Sequence, residues 1–238
     1  MNEESNIDRC LRSLDWADEI VVVDSGSSDR TIEICRNYTD RILHREFDSY
    51  IRQKNFAADH ARNQWIFNID ADEEVSDPLR EKITKTAVSG PGQKKAFSAN
   101  RLTQYCGKWI RHSGWYPDRQ TRLYDRESCA WCGDLIHERL KVEGASGHLD
   151  ADLLHYSFPG ISDHFTTADR FTRIGAEELR KSGIRKRLPH ICLRTLFTFL
   201  KIYVLKKGFL DGWQGFSIAG FSAFSVYVKY LRVREVEE

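Results

Sequence analysis

Trp65-Ile-Phe-Asn-Ile-Asp70-Ala-Asp72-Glu73 is an apolar run that ends in two acidic residues one position apart. Its length and its aromatic and β-branched content fit a buried strand. In an extended chain Asp70 and Asp72 lie on the same side, because side chains alternate with a period of two. Carboxylates at the carboxyl end of a strand in an open α/β sheet stand where such sheets bind ligands. There they can hold a ribose hydroxyl and a hard divalent cation. Mg2+ or Mn2+, held by one or two carboxylates plus substrate phosphates, suits a nucleoside diphosphate. A D-x-D pair in a chain with 35 acidic residues also describes a solvated turn, and the strand context separates the two readings.

Upstream, Val21-Val-Val-Asp24-Ser-Gly-Ser-Ser-Asp29-Arg-Thr31 repeats the design: a strand runs into a polar turn ahead of a helix. Read alone, this is either a ligand-binding turn or a capped strand-to-helix junction. Four strands are expected: Glu19-Ile-Val-Val-Val-Asp24, Asp40-Arg-Ile-Leu-His44, Trp65 to Asp70, and Lys95-Ala-Phe-Ser-Ala-Asn100. Asp29 is expected to cap one intervening helix, and Ser76-Asp77-Pro78 to open another. Strands alternating with helices predict an α/β fold with a mostly parallel sheet. The stretch from Tyr105 to about Tyr156 lacks helical periodicity and reads as loops and short strands that carry an acceptor site.

In this order the motifs resemble the family 2 glycosyltransferases, whose GT-A domain passes through N-E-E, V-V-D-x-x-S-x-D-x-T and D-x-D. The chain has Asn2-Glu3-Glu4, then Val22-Val23-Asp24 through Asp29-Arg30-Thr31, then Asp70-Ala71-Asp72, with Gln53-Lys54-Asn55 at the family's basic-Asn position. Lys108 to Asp118, Arg122-Leu-Tyr, Ile136-His137-Glu138, Leu154-His155-Tyr156-Ser157 and Tyr203 to Gly212 are similar to the subgroup containing bacterial lipopolysaccharide-core glucosyltransferases. The resemblance implies an open twisted sheet flanked by helices, a catalytic domain over 1–158 (nucleotide half about 1–104, acceptor half about 105–158) and a helical appendage over 159–238. Family members carry an apolar strand before N-E-E, so this fold is expected with its first strand missing.

The same resemblance implies inverting transfer of a sugar, with UDP-glucose the first guess, to a glycan or lipid-linked acceptor such as lipopolysaccharide core. It places Glu4 and Asp24 at the nucleoside, Lys54 near base or phosphate, Asp70 on the ribose and Asp72 on the metal. Transfer needs a base for the acceptor hydroxyl and an electrophile for the departing diphosphate. Glu138 is the candidate base, its alternative being a surface or salt-bridged Glu, with Asp118 and Asp134 in reserve. His155 reads as a second metal ligand, a diphosphate contact or a structural histidine. Asp118, Arg119, Arg122 and His137 are candidate acceptor or phosphate contacts. Trp115 and Tyr116 either stack on a sugar or pack in the core.

Composition bounds these readings. At 238 residues and 27.7 kDa, with 41% hydrophobic residues, the chain accommodates one main core. A net charge of +1 offers no footprint for a nucleic-acid partner. The six cysteines read as a reduced, cytosolic set, and the single C-x-x-C at Cys129 and Cys132 lacks the second pair a zinc site needs. A nucleotidyltransferase would need a Gly-rich triphosphate loop, which is not visible. A D-x-D phosphatase would need Thr where Glu74 stands. The competing function is a catalytically inactive nucleotide-binding or membrane scaffold of the same fold.

Beyond Pro159 the chain turns helical, with a basic cluster at Lys181, Arg185, Lys186 and Arg187. Leu193, Leu196, Phe197, Leu200 and Val204 recur at helical spacing. With Lys206 and Lys207 they predict either a helix in an anionic headgroup layer or one packed on the catalytic domain. Residues 209–228 approach a bilayer span but carry Asp211 and Gln214, which favours an interfacial or packed helix in which Gly212, Gly215 and Gly220 permit close approach. The expected location is the cytoplasmic face of the inner membrane, peripherally bound.

Overall fold

The computed structural model describes residues 1–133, 138–183 and 187–235. The chain divides into two compact units, Met1–Arg101 with Asp118–His155, and Leu102–Pro117 with Tyr156–Glu238. Of the acceptor half expected over about 105–158, residues 105–117 therefore group with the C-terminal helices.

In the first unit α1 (Ile7–Arg12) precedes β1 (Val22–Asp24), α2 (Thr31–Cys35), β2 (Ile42–His44), α3 (Tyr50–His60), β3 (Trp65–Phe67), β4 (Glu73–Val75) and α4 (Asp77–Ser89). There follow, in chain order, β5 (Lys94–Tyr105), β6 (Lys108–Trp109), β7 (Asp118–Asp125), β8 (Cys129–Gly133), β9 (Glu138–Val142) and β10 (Ala145–Phe158), of which β6 and the last residues of β5 and β10 fall in the second unit. The four expected strands are all present, three of them shorter than expected. Ser76 caps α4 by accepting the Leu79 N–H, with Pro78 in the first turn. Asp29 acts one step earlier than expected: it accepts the backbone N–H and hydroxyl of Thr31, the first residue of α2.

Strand direction departs from expectation. β1 and β2 form a parallel pair of their own, while the six-stranded sheet runs β3-β7-β5-β10-β4 with β6 beside β5, and its β3–β7, β5–β7, β5–β6 and β4–β10 pairs are antiparallel. The long middle strands explain this. Residues 118–125 and 145–158, expected as loops and short strands, return directly across the sheet rather than through helical crossovers. The core of this unit gathers Leu11, Cys35, Leu79, Ile83, Phe97 and Leu153. Cys129 and Cys132 lie on β8, and all six cysteines are free thiols.

The second unit contains α5 (Ile161–Lys181), α6 (Leu188–Leu200) continued by a π-helical turn (Lys201–Leu205), a 3-10 turn (Gly208–Asp211) and α7 (Trp213–Arg234). Arg185 and Lys186 of the basic cluster lie outside the described residues. Its core is aromatic: Tyr105 meets Trp115, Phe158 and His164, and His164 stacks on Phe221. Trp115 is thus a packing residue. Burial pushes His164 down to about 4 and Tyr105 up to about 12, and the two are hydrogen-bonded at 3.0 Å. Of the glycines expected to permit close approach, Gly215 does: a Cβ there would lie 1.8 Å from the Gly208 carbonyl oxygen. At Gly220 nothing stands within 4 Å of a Cβ, so close approach does not explain it.

Candidate functional site

The site is assembled in the first unit from the ends of β3 and β1 and from one face of α3. Asp70 and Glu73 close a turn on each other: the Asp70 N–H donates to the Glu73 carboxylate at 3.0 Å, and the Glu73 N–H to the Asp70 carbonyl at 3.0 Å. This turn lets the strand end abruptly and displays Asp70 and Asp72 beyond it.

Around the turn runs an alternating string of charge. Lys54, on α3 and buried, donates to Glu138 at 2.7 Å and lies 3.9 Å from Asp70. Arg122, on β7 and 3% exposed, donates to Asp70 at 2.8 Å, to Asn68 at 3.1 Å and to Glu73, which is 0% exposed. Arg101 reaches Glu73 at 3.9 Å and grips Asp118 at 2.7 and 2.9 Å. Each buried charge thus faces the opposite sign, which is the condition for burying it at all.

Burial acts to raise the Asp70 carboxyl, but Arg122 and then Lys54 outweigh it and hold the group well below the usual carboxylate range. Glu73 moves the other way. Its complete burial, with Asp70 beside it, raises it despite Arg122. The adjacent Cys10 thiol, which contacts the Asp70 carbonyl at 3.6 Å, is pushed far up by burial and the surrounding carboxylates, so it stays a thiol.

The structure reassigns several expected contacts. Arg122, expected at phosphate or acceptor, is consumed between two carboxylates. Asp118 is held by Arg101 and by Gln120. Arg119 is exposed, opposite Asn100 on β5. Trp115 and Tyr116 belong to the second unit, where the Arg111 guanidinium stands 5.3 Å over the Tyr116 ring. His137 and Asp134 lie outside the described residues. Glu138 is salt-bridged, to Lys54.

Glu4 and Asp24 meet at the first polar turn. Asp24 accepts from the backbone N–H groups of Gly26 and Ser27, both at 2.8 Å, and from the Ser27 hydroxyl. Burial works against its charge, yet these bonds hold its carboxyl below the ordinary value. Gly26, at φ +94°, makes the turn possible. Asn2, Glu3 and Glu4 are laced onto the same loop: the Asn2 N–H donates to Ser27, that of Glu3 to Thr31 and that of Glu4 to Asp29, while Glu4 accepts from the Arg30 N–H.

Asp72 and His155, the expected metal ligands, are brought together by the β4–β10 pairing and stand 3.2 Å apart, carboxylate oxygen to Nε2. Two donors about 2.1 Å from one ion, side by side in an octahedron, are about 3 Å apart, so this oxygen and nitrogen fit one coordination edge. Among the described residues no group of three such side chains converges, so the remaining ligands would come from substrate oxygens and water.

Four residues to which the sequence reading gave no individual role organise the site: Glu73, Trp131, and Gln53 and Asn55 of the basic-Asn motif. Glu73 shapes the D-x-D turn, and the D-A-D-E run was its only signal. Asn55 exchanges two hydrogen bonds with the Trp131 backbone, both at 3.0 Å, docking β8 on α3 as a strand would. The Trp131 ring lies 4.4 Å below the Lys54 ammonium. Gln53 adds a third anchor, donating to Ser25 at 2.9 Å. Gln53-Lys54-Asn55 therefore ties together the first turn, the acidic turn and the strand pair carrying Glu138.

The family model described as glycosyl transferase family 2 matches residues 1–130 of the 238. The chain belongs to this family. It is a glycosyltransferase, and the turns at Asp24 and Asp70 and the α3 anchors all fall within the family-2 match. An uncharacterized glycosyltransferase of Rickettsia prowazekii is 26% identical over 99% of this chain and 84% of its own length. The lipopolysaccharide core biosynthesis glycosyltransferase LpsC of Rhizobium meliloti is 26% identical over 97% of this chain and 90% of its own. A crystal structure of S. aureus TarS in complex with UDP-GlcNAc aligns with a TM-score of 0.46 and 12% identity, covering 97% of this chain and 89% of that one.

Proposed function

We propose that this family-2 enzyme moves a sugar, glucose as the first guess, from a UDP-sugar to a hydroxyl of a glycan acceptor such as lipopolysaccharide core, inverting the anomeric carbon. The observation that carries the reading is the Lys54 ammonium lodged between Glu138 and Asp70, which sets a carboxylate base beside a donor-binding strand end. Glu138 takes the proton of the acceptor hydroxyl as its oxygen bonds to the anomeric carbon. The bond from that carbon to the diphosphate oxygen breaks, and the nucleoside diphosphate leaves with the electron pair. Asp70 binds the ribose, with Arg122 and Glu73 fixing its direction. Asp24 and Glu4 shape the nucleoside turn. Asp72 and His155 would hold Mg2+ or Mn2+, whose charge, when bound, offsets that of the departing diphosphate. The likeness to a named lipopolysaccharide-core enzyme supports the acceptor class.

The test is turnover of UDP-glucose and other UDP-sugars with an extracted lipid-linked acceptor, comparing wild type with Glu138→Gln and Asp72→Ala. Glu138→Gln should lower kcat by about 10^2- to 10^4-fold. Asp72→Ala should raise the Mn2+ concentration needed for half-maximal rate. Equal rates in all three proteins would overturn the site assignment. Absence of turnover by wild type with every donor would favour the scaffold reading.

A further inference from the structure

The apolar stripe of α6 faces outward. Leu193, Leu196, Phe197, Leu200 and Val204 have the spacing of a helix face turned to a core, yet all five are exposed, Leu193 by 66%, and Ile191 alone of α6 is buried. The exposed surface continues through Leu205 at 68%, Phe209, Leu210, Trp213 at 54% and Phe216. Single exposed apolar residues are ordinary, whereas a contiguous run of this size marks a surface that something covers.

Charge around the stripe identifies the cover. Lys201, Lys206 and Lys207 are exposed along it. Further cations are gathered by Asp211, which is buried and accepts from the Ser113 hydroxyl at 2.7 Å, His112 Nδ1 at 3.1 Å and the backbone N–H groups of His112 at 3.2 Å and Arg111 at 3.4 Å. The Ser113 N–H donates to the Lys206 carbonyl at 2.9 Å. These bonds pin residues 111–113 against the 206–211 turn. A Cβ on Gly114 would lie 3.5 Å from Lys206 Cγ, and one on Gly212 3.5 Å from Lys108 Nζ. The acidic group of the turn is thereby buried, while Lys108, Arg111, Lys206 and Lys207 edge its apolar surface.

We infer that the α6 stripe and the 204–216 turn form a docking face for a bilayer surface containing anionic lipids, with α6 lying in the plane of the interface. Apolar side chains and Trp213 enter the headgroup and acyl boundary, and the lysines extend to phosphate level. A second copy of the chain fits this face less well, because a two-fold contact would bring the two Lys206–Lys207 pairs toward each other. The segment Leu188–Leu205 is long and apolar enough to cross a membrane. It packs along α7, however, and α7 carries Gln214, Lys229 and Arg232, which an in-plane arrangement leaves outside the hydrocarbon.

The experiment is co-sedimentation of the full chain with vesicles of phosphatidylcholine alone or mixed with phosphatidylglycerol, using wild type, Lys206→Glu/Lys207→Glu and Leu193→Gln/Leu196→Gln/Leu200→Gln. Wild type should bind the anionic vesicles and be released by raised salt. The lysine variant should lose more than about tenfold in partitioning with an unchanged melting temperature, and the leucine variant should lose binding as well. Wild type remaining in the supernatant, or a lysine variant that binds like wild type, overturns the inference. Retention of wild type through salt and alkaline carbonate overturns the in-plane placement. A wild-type dimer that the leucine variant converts to monomer, with no vesicle binding, assigns the face to a second copy instead.

Discussion

The Asp70 turn buries charge and the α6 helix exposes hydrocarbon, and both choices invert what is cheapest for an isolated domain. Around Asp70, Arg122 and Glu73 are withdrawn from water and tolerated because each lies against an opposite charge, with both terminal nitrogens of Arg122 hydrogen-bonded while its Nε has no partner among the described residues. Along α6 and the turn after it, five apolar side chains, Leu193, Leu196, Phe197, Leu200 and Val204, are exposed. The contrast is what the two proposals require: a polar, charge-matched constellation for a small charged donor, and an apolar face for a soft, extended surface.

The strongest way to break this comparison is to unmatch a charge. Arg122→Leu leaves Glu73 and Asp70 without their buried partner and should destabilise the fold by about 3–5 kcal/mol in urea unfolding. The double variant Arg122→Leu/Glu73→Leu should recover part of that loss, and a double variant as unstable as the single one would contradict the matching.

A smaller effect comes from His164, a buried titratable group in the other unit. Its folded value, about 4, lies below the ordinary 6.5, so between those values the unfolded chain binds the extra proton. Stability from keeping His164 neutral is therefore complete above pH 6.5 and is lost as pH falls toward 4, by up to about 3 kcal/mol. Melting curves across that window should slope more steeply for wild type than for His164→Phe, and parallel slopes would remove His164 as the cause.

Ser76→Ala removes the α4 cap and should cost about 1 kcal/mol in the same unfolding assay. The smallest effect is the most telling for the comparison. Leu196→Gln on the outer stripe should change stability by no more than about 0.5 kcal/mol, whereas a buried leucine such as Leu79, cut to Ala, should cost about 2–5 kcal/mol. A large loss from Leu196→Gln would mean that the stripe is packed and not free.

Much of the donor side was legible in the sequence because its signals are local. Two apolar strands ending in Asp24 and Asp70, the Ser76-Asp77-Pro78 helix start and the ordered family motifs each sit within about ten residues, where strand period and capping chemistry operate. The pairing of Asp72 with His155, 83 positions apart, needed the β4–β10 register as well as the motif. Arg122 was misread because a motif gives a residue type without its surroundings: guanidinium suits phosphate and buried carboxylate equally. The mostly parallel sheet was overestimated because the early β-α alternation was extended over strands whose returns lie in the middle of the chain.

By itself, then, the sequence determined the family, the strand ends that carry carboxylates, the helix starts and the existence of an apolar stripe on α6, all consequences of local period and short-range hydrogen bonding. Only the tertiary structure decided that Lys54 joins Glu138 to Asp70, that Glu73 and Arg122 are buried partners, and that the α6 stripe looks outward. Those outcomes depend on which distant segments are packed together, and periodicity marks a face without specifying what, if anything, will cover it.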